Sequence, residues 1–194
     1  MKRLLLLTLF AATTAFAQSN AISVSVFQPQ FSGGAVRIDG DRVGVDLKSR
    51  TGFGAGFTHT AGSWSFTVDA RQLRAPVSAG FSPRANAGTL DMTPVTALVH
   101  YNRGPLFIGA GIADVMTGNL HSSDLDAMGI SNVSVGDDVT YVIDGGFTLP
   151  LRGPLGVAIE GRYMPVSVDA QSLGQKATLK FNALTVGASL RWKF

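Results

Sequence analysis

The stretch Leu184-Thr185-Val186-Gly187-Ala188-Ser189-Leu190-Arg191-Trp192-Lys193-Phe194 alternates without a slip. Leu184, Val186, Ala188, Leu190, Trp192 and Phe194 share one face, and Thr185, Gly187, Ser189, Arg191 and Lys193 the other. A period of two marks a β-strand, because successive side chains of an extended chain point to opposite sides. With no covering element after Phe194, the face carrying Trp192 and Phe194 is expected to lie against lipid and its polar face to line a barrel lumen.

The same period recurs through the chain. Ile22, Val24 and Val26 alternate with Ser23 and Ser25; Phe53, Ala55 and Phe57 with Gly52, Gly54, Gly56 and Thr58; and Phe66, Val68 and Ala70 with Ser65, Thr67, Asp69 and Arg71. Val95, Ala97, Val99 and Tyr101 flank Thr96, Leu98 and His100, and Leu106, Ile108, Ala110 and Ile112 flank Phe107, Gly109, Gly111 and Ala113. Val139, Tyr141, Ile143, Phe147 and Leu149 oppose Thr140, Val142, Asp144, Gly146 and Thr148, while Val157, Ile159 and Tyr163 oppose Ala158, Glu160 and Arg162. With the final segment, taken back to Ala177, these make eight strands. Residues 61–63, 103–105 and 150–154 read as tight turns, and 32–50, 74–92, 116–138 and 170–176 as longer polar connections. Short turns on one side and long loops on the other predict an all-β, eight-stranded antiparallel up-and-down transmembrane barrel with both termini periplasmic. Arg-Gly-Pro-Leu occurs at 103–106 and at 152–155, each time before a strand, and predicts two equivalent hairpin turns.

A soluble lipocalin-like barrel or sandwich would turn the apolar faces inward. The glycines opposite the aromatics argue against it, since glycine weakens an exposed strand without any packing return, whereas the inside of an eight-stranded barrel is just wide enough for side chains and glycines make sense there. Trp64, Tyr101, Tyr163, Trp192 and Phe194, near strand ends, fit interfacial girdles.

Met1-Lys2-Arg3, the apolar run from Leu4 to Phe10 and the small-x-small Ala15-Phe16-Ala17 read as a secretory signal, residues 1–17, leaving 18–194 as the barrel. A helical span needs about 20 apolar residues, more than Thr8, Thr13, Thr14 and Gln18 leave here. Removing Lys2 and Arg3 takes the formal charge from +3 to +1, which excludes a basic nucleic-acid surface. The chain has no cysteine, so neither disulfides nor thiolate metal sites hold it together.

Pro94-Val95-Thr96-Ala97-Leu98-Val99-His100-Tyr101-Asn102, the following Leu106-Phe107-Ile108-Gly109-Ala110-Gly111, and Arg162-Tyr163-Met164 with Asp169 downstream resemble the OmpW family of small outer-membrane barrels. OmpA-like and OmpX-like barrels are close competitors. The resemblance implies a monomer with a narrow, largely apolar interior that passes small hydrophobic compounds and releases them sideways into the membrane. Expected partners are membrane lipid and lipopolysaccharide, the barrel-assembly machinery acting on the C-terminal strand, and small apolar ligands.

The inward face collects Asp69, Arg71, His100, Asp144, Glu160, Arg162 and Arg191, with Lys193 beyond them. A turn centred near Arg152 would set Asp144 opposite Glu160, and two facing carboxylates invite a general acid/base reading. The favoured reading is a structural plug in which Arg162, Arg71 or Arg191 lies between them, because charges removed from water persist when paired. Nucleophilic hydrolysis would need Ser, His and a carboxylate brought together from His59, His100 or His121 with Ser122, Ser123 and Asp124. No such geometry is specified, and the chain reads as non-enzymatic, without cofactor. Asp124 and Asp126, or Asp137 and Asp138, are short acidic pairs of the kind that usually only solvate a loop. Leu120, Leu125, Met128 and Ile130 in the third long connection are apolar enough to cap the mouth. A structural or adhesin-like surface role is the alternative to transport, and it needs no open path through the charged layer.

Overall fold

The computed structural model describes residues 19–38, 41–79, 85–118, 134–172 and 175–194. The leader at 1–17, and His121, Ser122, Ser123, Asp124 and Asp126 with the apolar cap residues Leu120, Leu125, Met128 and Ile130, lie outside the described residues. The described chain forms β1 (Ser19–Ile38), β2 (Asp41–Leu47), β3 (Gly52–Ala61), β4 (Trp64–Ala79), β5 (Ala85–Arg103), β6 (Leu106–Thr117), β7 (Ser134–Val135), β8 (Asp138–Pro150), β9 (Leu155–Ser172) and β10 (Gln175–Lys193). All pairings are antiparallel: β2 and β3 each lie between β1 and β4, β5, β6, β8, β9 and β10 follow in turn, and β10 closes the ring on β1 from Ala21↔Lys193 to Ile38↔Ala177. Closure on β1 leaves no free edge strand, and the ladders pair the backbone of the wall except between residues 28–34 and 45–51 and between β8 and β9 beyond Ile143↔Tyr163.

Ten segments occupy eight positions in the wall. β2 and β3 together form the second wall strand, broken between Leu47 and Gly52, and the short β7 pairs with the far end of β9 at Gln171 and Ala170. Side-chain orientation follows the period of two. Ile108 is 64% exposed on the outside, while its neighbour Phe107 is buried inside at 7%. Ile22, Val24, Phe53, Val99, Tyr141, Ile143, Val186, Leu190 and Trp192 likewise form an exposed apolar belt.

The structure shortens the long connections. Residues 32–38 and 41–47, 74–79 and 85–92, 116–117, and 170–172 with 175–176 are strand rather than loop. Their outward residues, such as Arg74, Ser78 and Asp91, are polar, which hides the strand when hydropathy is read along the chain. Their inward residues Ala75, Val77, Leu90 and Met92 are buried and keep the ladder going past the outward apolar belt.

The two Arg-Gly-Pro-Leu turns are not equivalent. Arg103 pairs with Leu106 across a two-residue turn, with Gly104 at φ +62°, a conformation open chiefly to glycine. In the second, Leu151 donates to the Leu155 carbonyl at 2.9 Å, so Arg152 joins Gly153 and Pro154 in a three-residue loop. One added residue resets the register of everything paired across it.

The lumen is divided. Beyond the charged residues, away from the short turns, Phe27, Leu73, Leu90, Met92, Val115, Val142, Met164, Val166, Val168 and Phe181 form a buried apolar cluster. On the short-turn side Ser23, Ser25, Thr58, Ser65, Thr67 and Ser189 point inward, with Leu98 and Phe107 as the main apolar exceptions. The largely apolar interior expected from the resemblance therefore holds for the long-loop half alone.

Candidate functional site: a charged floor and two seams in the wall

Asp69 and Arg71 on β4, Thr96 and His100 on β5, Asp144 on β8, and Glu160 and Arg162 on β9 are buried inward side chains at the boundary between the two halves, with Arg191 of β10 beside them. Asp69 is the hub. Its carboxylate accepts from Arg162 Nη1 and Nη2 at 2.8 and 2.6 Å and from the Thr96 hydroxyl at 2.6 Å. This two-pronged guanidinium–carboxylate contact is the strong form of the ion pair. Arg162 also reaches Asp144 at 3.4 Å, Arg71 is paired with Glu160, and Arg191 stands 3.9 Å from Glu160.

Asp144 stands opposite Arg162, not Glu160, because the hairpin turns about Gly153 and Gly146 takes the place opposite Glu160. The facing carboxylates of the acid/base reading are thus replaced by an alternation of sign in which every carboxylate has a cation. His100 extends the network toward the short turns. Its Nε2 lies 3.1 Å from Asp144 and its Nδ1 3.4 Å from the Thr67 hydroxyl, itself 2.9 Å from that of Thr58. Gly109 makes this possible, since a Cβ there would run into both the His100 ring and the Asp144 carboxylate.

Thr67, His100 and Asp144 follow the order hydroxyl, imidazole, carboxylate. The cavity among them and the floor residues is about 20 Å³, the room of one water molecule and far too small for a scissile group. Nε of Arg71, Arg162 and Arg191 have no acceptor among the described residues, which suits such a water. His59 sits off the lumen, with Nδ1 2.9 Å from Asn20. Asp137 and Asp138 accept from the backbone N–H of Thr117 and Ser167 at 3.1 and 2.8 Å.

Two interruptions in the wall were missed in the sequence. The β1–β3 ladder ends at Phe27↔Gly52 and the β1–β2 ladder resumes at Ala35↔Gly44, so residues 28–34 and 45–51 face each other unladdered. There the Thr51 hydroxyl donates to Gln28 Oε1 at 3.1 Å, and a cavity of about 480 Å³ opens among Phe31, Gly34, Val45, Leu47 and Ser78. The second seam starts where the β8–β9 ladder stops, at Ile143↔Tyr163. Asp138–Val142 pair onward with β6 but not with β9. Pro165 offers no N–H at this point, and the Ser167 N–H is taken by the Asp138 carboxylate across a cavity of about 370 Å³. The signals available in the sequence were a charged break at Lys48–Arg50 and a proline within an alternating run.

A floor with one water's room predicts a non-conducting barrel. The refolded chain in a planar bilayer is expected to show no single-channel steps, whereas Arg71→Ala with Glu160→Ala, which clears two long side chains at once, should produce them. Steps from the unaltered chain would show that the floor is open.

No family model and no curated protein matches the chain. Among solved structures, the outer membrane protein OprG from Pseudomonas aeruginosa is similar with a TM-score of 0.75 at 17% identity, over 91% of this chain and 96% of that one. AlkL, determined in DMPC bilayers, is similar at a TM-score of 0.68 and 15% identity over 93% and 92% of the two chains. For Neisserial surface protein A the values are 0.57 and 10%, over 90% and 97%. The chain thus has the fold of small outer-membrane β-barrels, the architecture that its resemblance to the OmpW family implies.

Proposed function

We propose that this protein is a non-enzymatic bacterial outer-membrane barrel that admits small apolar solutes to the long-loop half of its lumen and releases them sideways into the bilayer. The observation that carries the reading is the position of the seams. Gln72, opposite Phe53 at the start of the first gap, follows Arg71, and Ile143↔Tyr163, where the second begins, adjoins Asp144↔Arg162. A solute descending through the apolar half meets a paired charge layer that it cannot cross without stripping ions of their partners, and beside that layer the wall lacks its ladder. A lateral exit also ends in hydrocarbon, where an apolar solute is more stable than in the periplasm.

Each seam is bridged by side-chain contacts breakable at modest cost, about 1 kcal/mol for a neutral hydrogen bond such as Thr51 to Gln28 and about 1.5–3 kcal/mol for one accepted by a carboxylate such as Asp138. The chain has no native cysteine, so a pair introduced at Gln28 and Thr51, or at Asp138 and Ser167, forms its only disulfide. Cells carrying the reduced barrel should take up N-phenylnaphthylamine faster than cells without it. Oxidation of the seam in use should bring the rate down to that of cells lacking the protein, and reductant should restore it. Rates unchanged by both locks would favour a structural or surface-interaction role, which needs no moving wall.

A further inference from the structure

The end of the barrel that carries the short turns bears an arc of cations that the transport reading does not use. Arg103, on the outward row of β5, closes the β5–β6 hairpin and Arg152 lies in the β8–β9 loop, both exposed, while Lys193, exposed at the end of β10, stands on the inward row opposite Ala21. Backbone bonds make the arc continuous. Thr148 N–H donates to the Pro105 carbonyl at 2.7 Å, tying the first turn to the foot of β8, and Lys193 N–H donates to the Pro154 carbonyl at 2.8 Å, tying the second to the foot of β10. Among the described residues no acidic side chain lies on the short-turn side of Asp144 and Glu160, whereas Asp46, Asp91, Asp114, Asp137, Asp138 and Asp169 all lie on the other side.

A second observation says what such an arc would face. Directly beside the cations, Leu106, Leu149, Leu151, Trp192 and Phe194 project outward as large exposed apolar side chains. Cation at the water boundary and hydrocarbon contact beneath it is the pattern of a phospholipid, with the phosphate above its acyl chains. Soluble anionic polymers, such as the carboxylates of a cell-wall peptide, would have no use for the apolar half of the pattern.

We propose that this rim binds the phosphodiester headgroups of anionic phospholipid in the leaflet that surrounds the short turns. Arg103 and Arg152 supply planar donor forks, and juxtamembrane cations of this kind add affinity that salt weakens.

Trp192, adjacent to Lys193, reports on the arc once Trp64 is replaced by phenylalanine, since the chain has two tryptophans. The full barrel is refolded into phosphatidylcholine vesicles containing brominated phosphatidylglycerol or, for comparison, the same fraction of brominated phosphatidylcholine. Trp192 should be quenched more by the anionic lipid, with a relative association constant about fivefold above that of phosphatidylcholine for one engaged cation, falling as salt is raised. In the variant Arg103→Gln, Arg152→Gln the two lipids should quench equally, with heat-modifiable mobility confirming that the barrel is folded. Equal quenching in the unaltered rim would overturn the proposal. So would anionic preference that survives the double substitution, or a double variant that loses co-sedimentation with cell-wall sacculi while keeping its lipid preference.

Discussion

Replacement of Arg162 by alanine is expected to lower the unfolding free energy of the barrel by about 3–5 kcal/mol, the usual cost of leaving a buried ion without its partner. Arg162 is 4% exposed and binds Asp69 with both terminal nitrogens, and Asp144 is also within its reach. Without the guanidinium, the buried carboxylates of Asp69 and Asp144 lose the cation they share. Arg71 cannot replace it, being 3.5 Å from Asp69 and already engaged by Glu160. Urea titration of the refolded barrel in vesicles, followed by tryptophan fluorescence, measures the loss. Adding Asp69→Ala to Arg162→Ala should recover part of it, because the second change removes one of the stranded charges and makes the double variant milder than the sum of the singles. Additive losses would mean that the two side chains do not act as a pair.

Ile143→Arg should have the next largest effect, about 2–4 kcal/mol, the cost of a cation on the lipid face near the bilayer midplane. Ile143 sits midway along the outward row of β8 from Val139 to Leu149, is 48% exposed, and is flanked across the ladders by Ala110 and Tyr163, so no neighbouring carboxylate can pair with a new cation. Ile143→Leu, which preserves the surface chemistry, should leave stability within experimental error. In detergent micelles, where the belt is softer, the arginine variant should fold more readily than in vesicles. If Ile143→Arg folded into vesicles as stably as the parent, the outward belt would not be facing hydrocarbon.

Strand identity and facing were legible because both depend on local periodicity. The inward parity of Asp69, Arg71, His100, Asp144, Glu160 and Arg162 could be read from their neighbours, since an extended chain alternates whatever it pairs with. What could not be read was partner choice, which depends on register across a turn. A hairpin centred one residue further on exchanges Glu160 for Arg162 opposite Asp144 and turns a candidate acid/base pair into a salt bridge. Strand length was underestimated for a related reason. Above the belt the outward side chains face water and lose their apolar signature, while the inward ones, such as Leu73, Leu90 and Met92, still pack.

The seams show the limit most clearly. A gap in a wall is a property of two strands together. Gln28 and Thr51 are distant in sequence and unremarkable in composition, and so are Asp138 and Ser167. By itself the amino-acid sequence determined the eight wall positions, the outward apolar belt and the set of charges turned into the lumen, because hydrophobicity and alternation act residue by residue. The tertiary structure alone decided how those charges pair, where the apolar half of the lumen begins and where the wall opens, because ring closure brings together strands whose mutual register is a global constraint on the whole barrel.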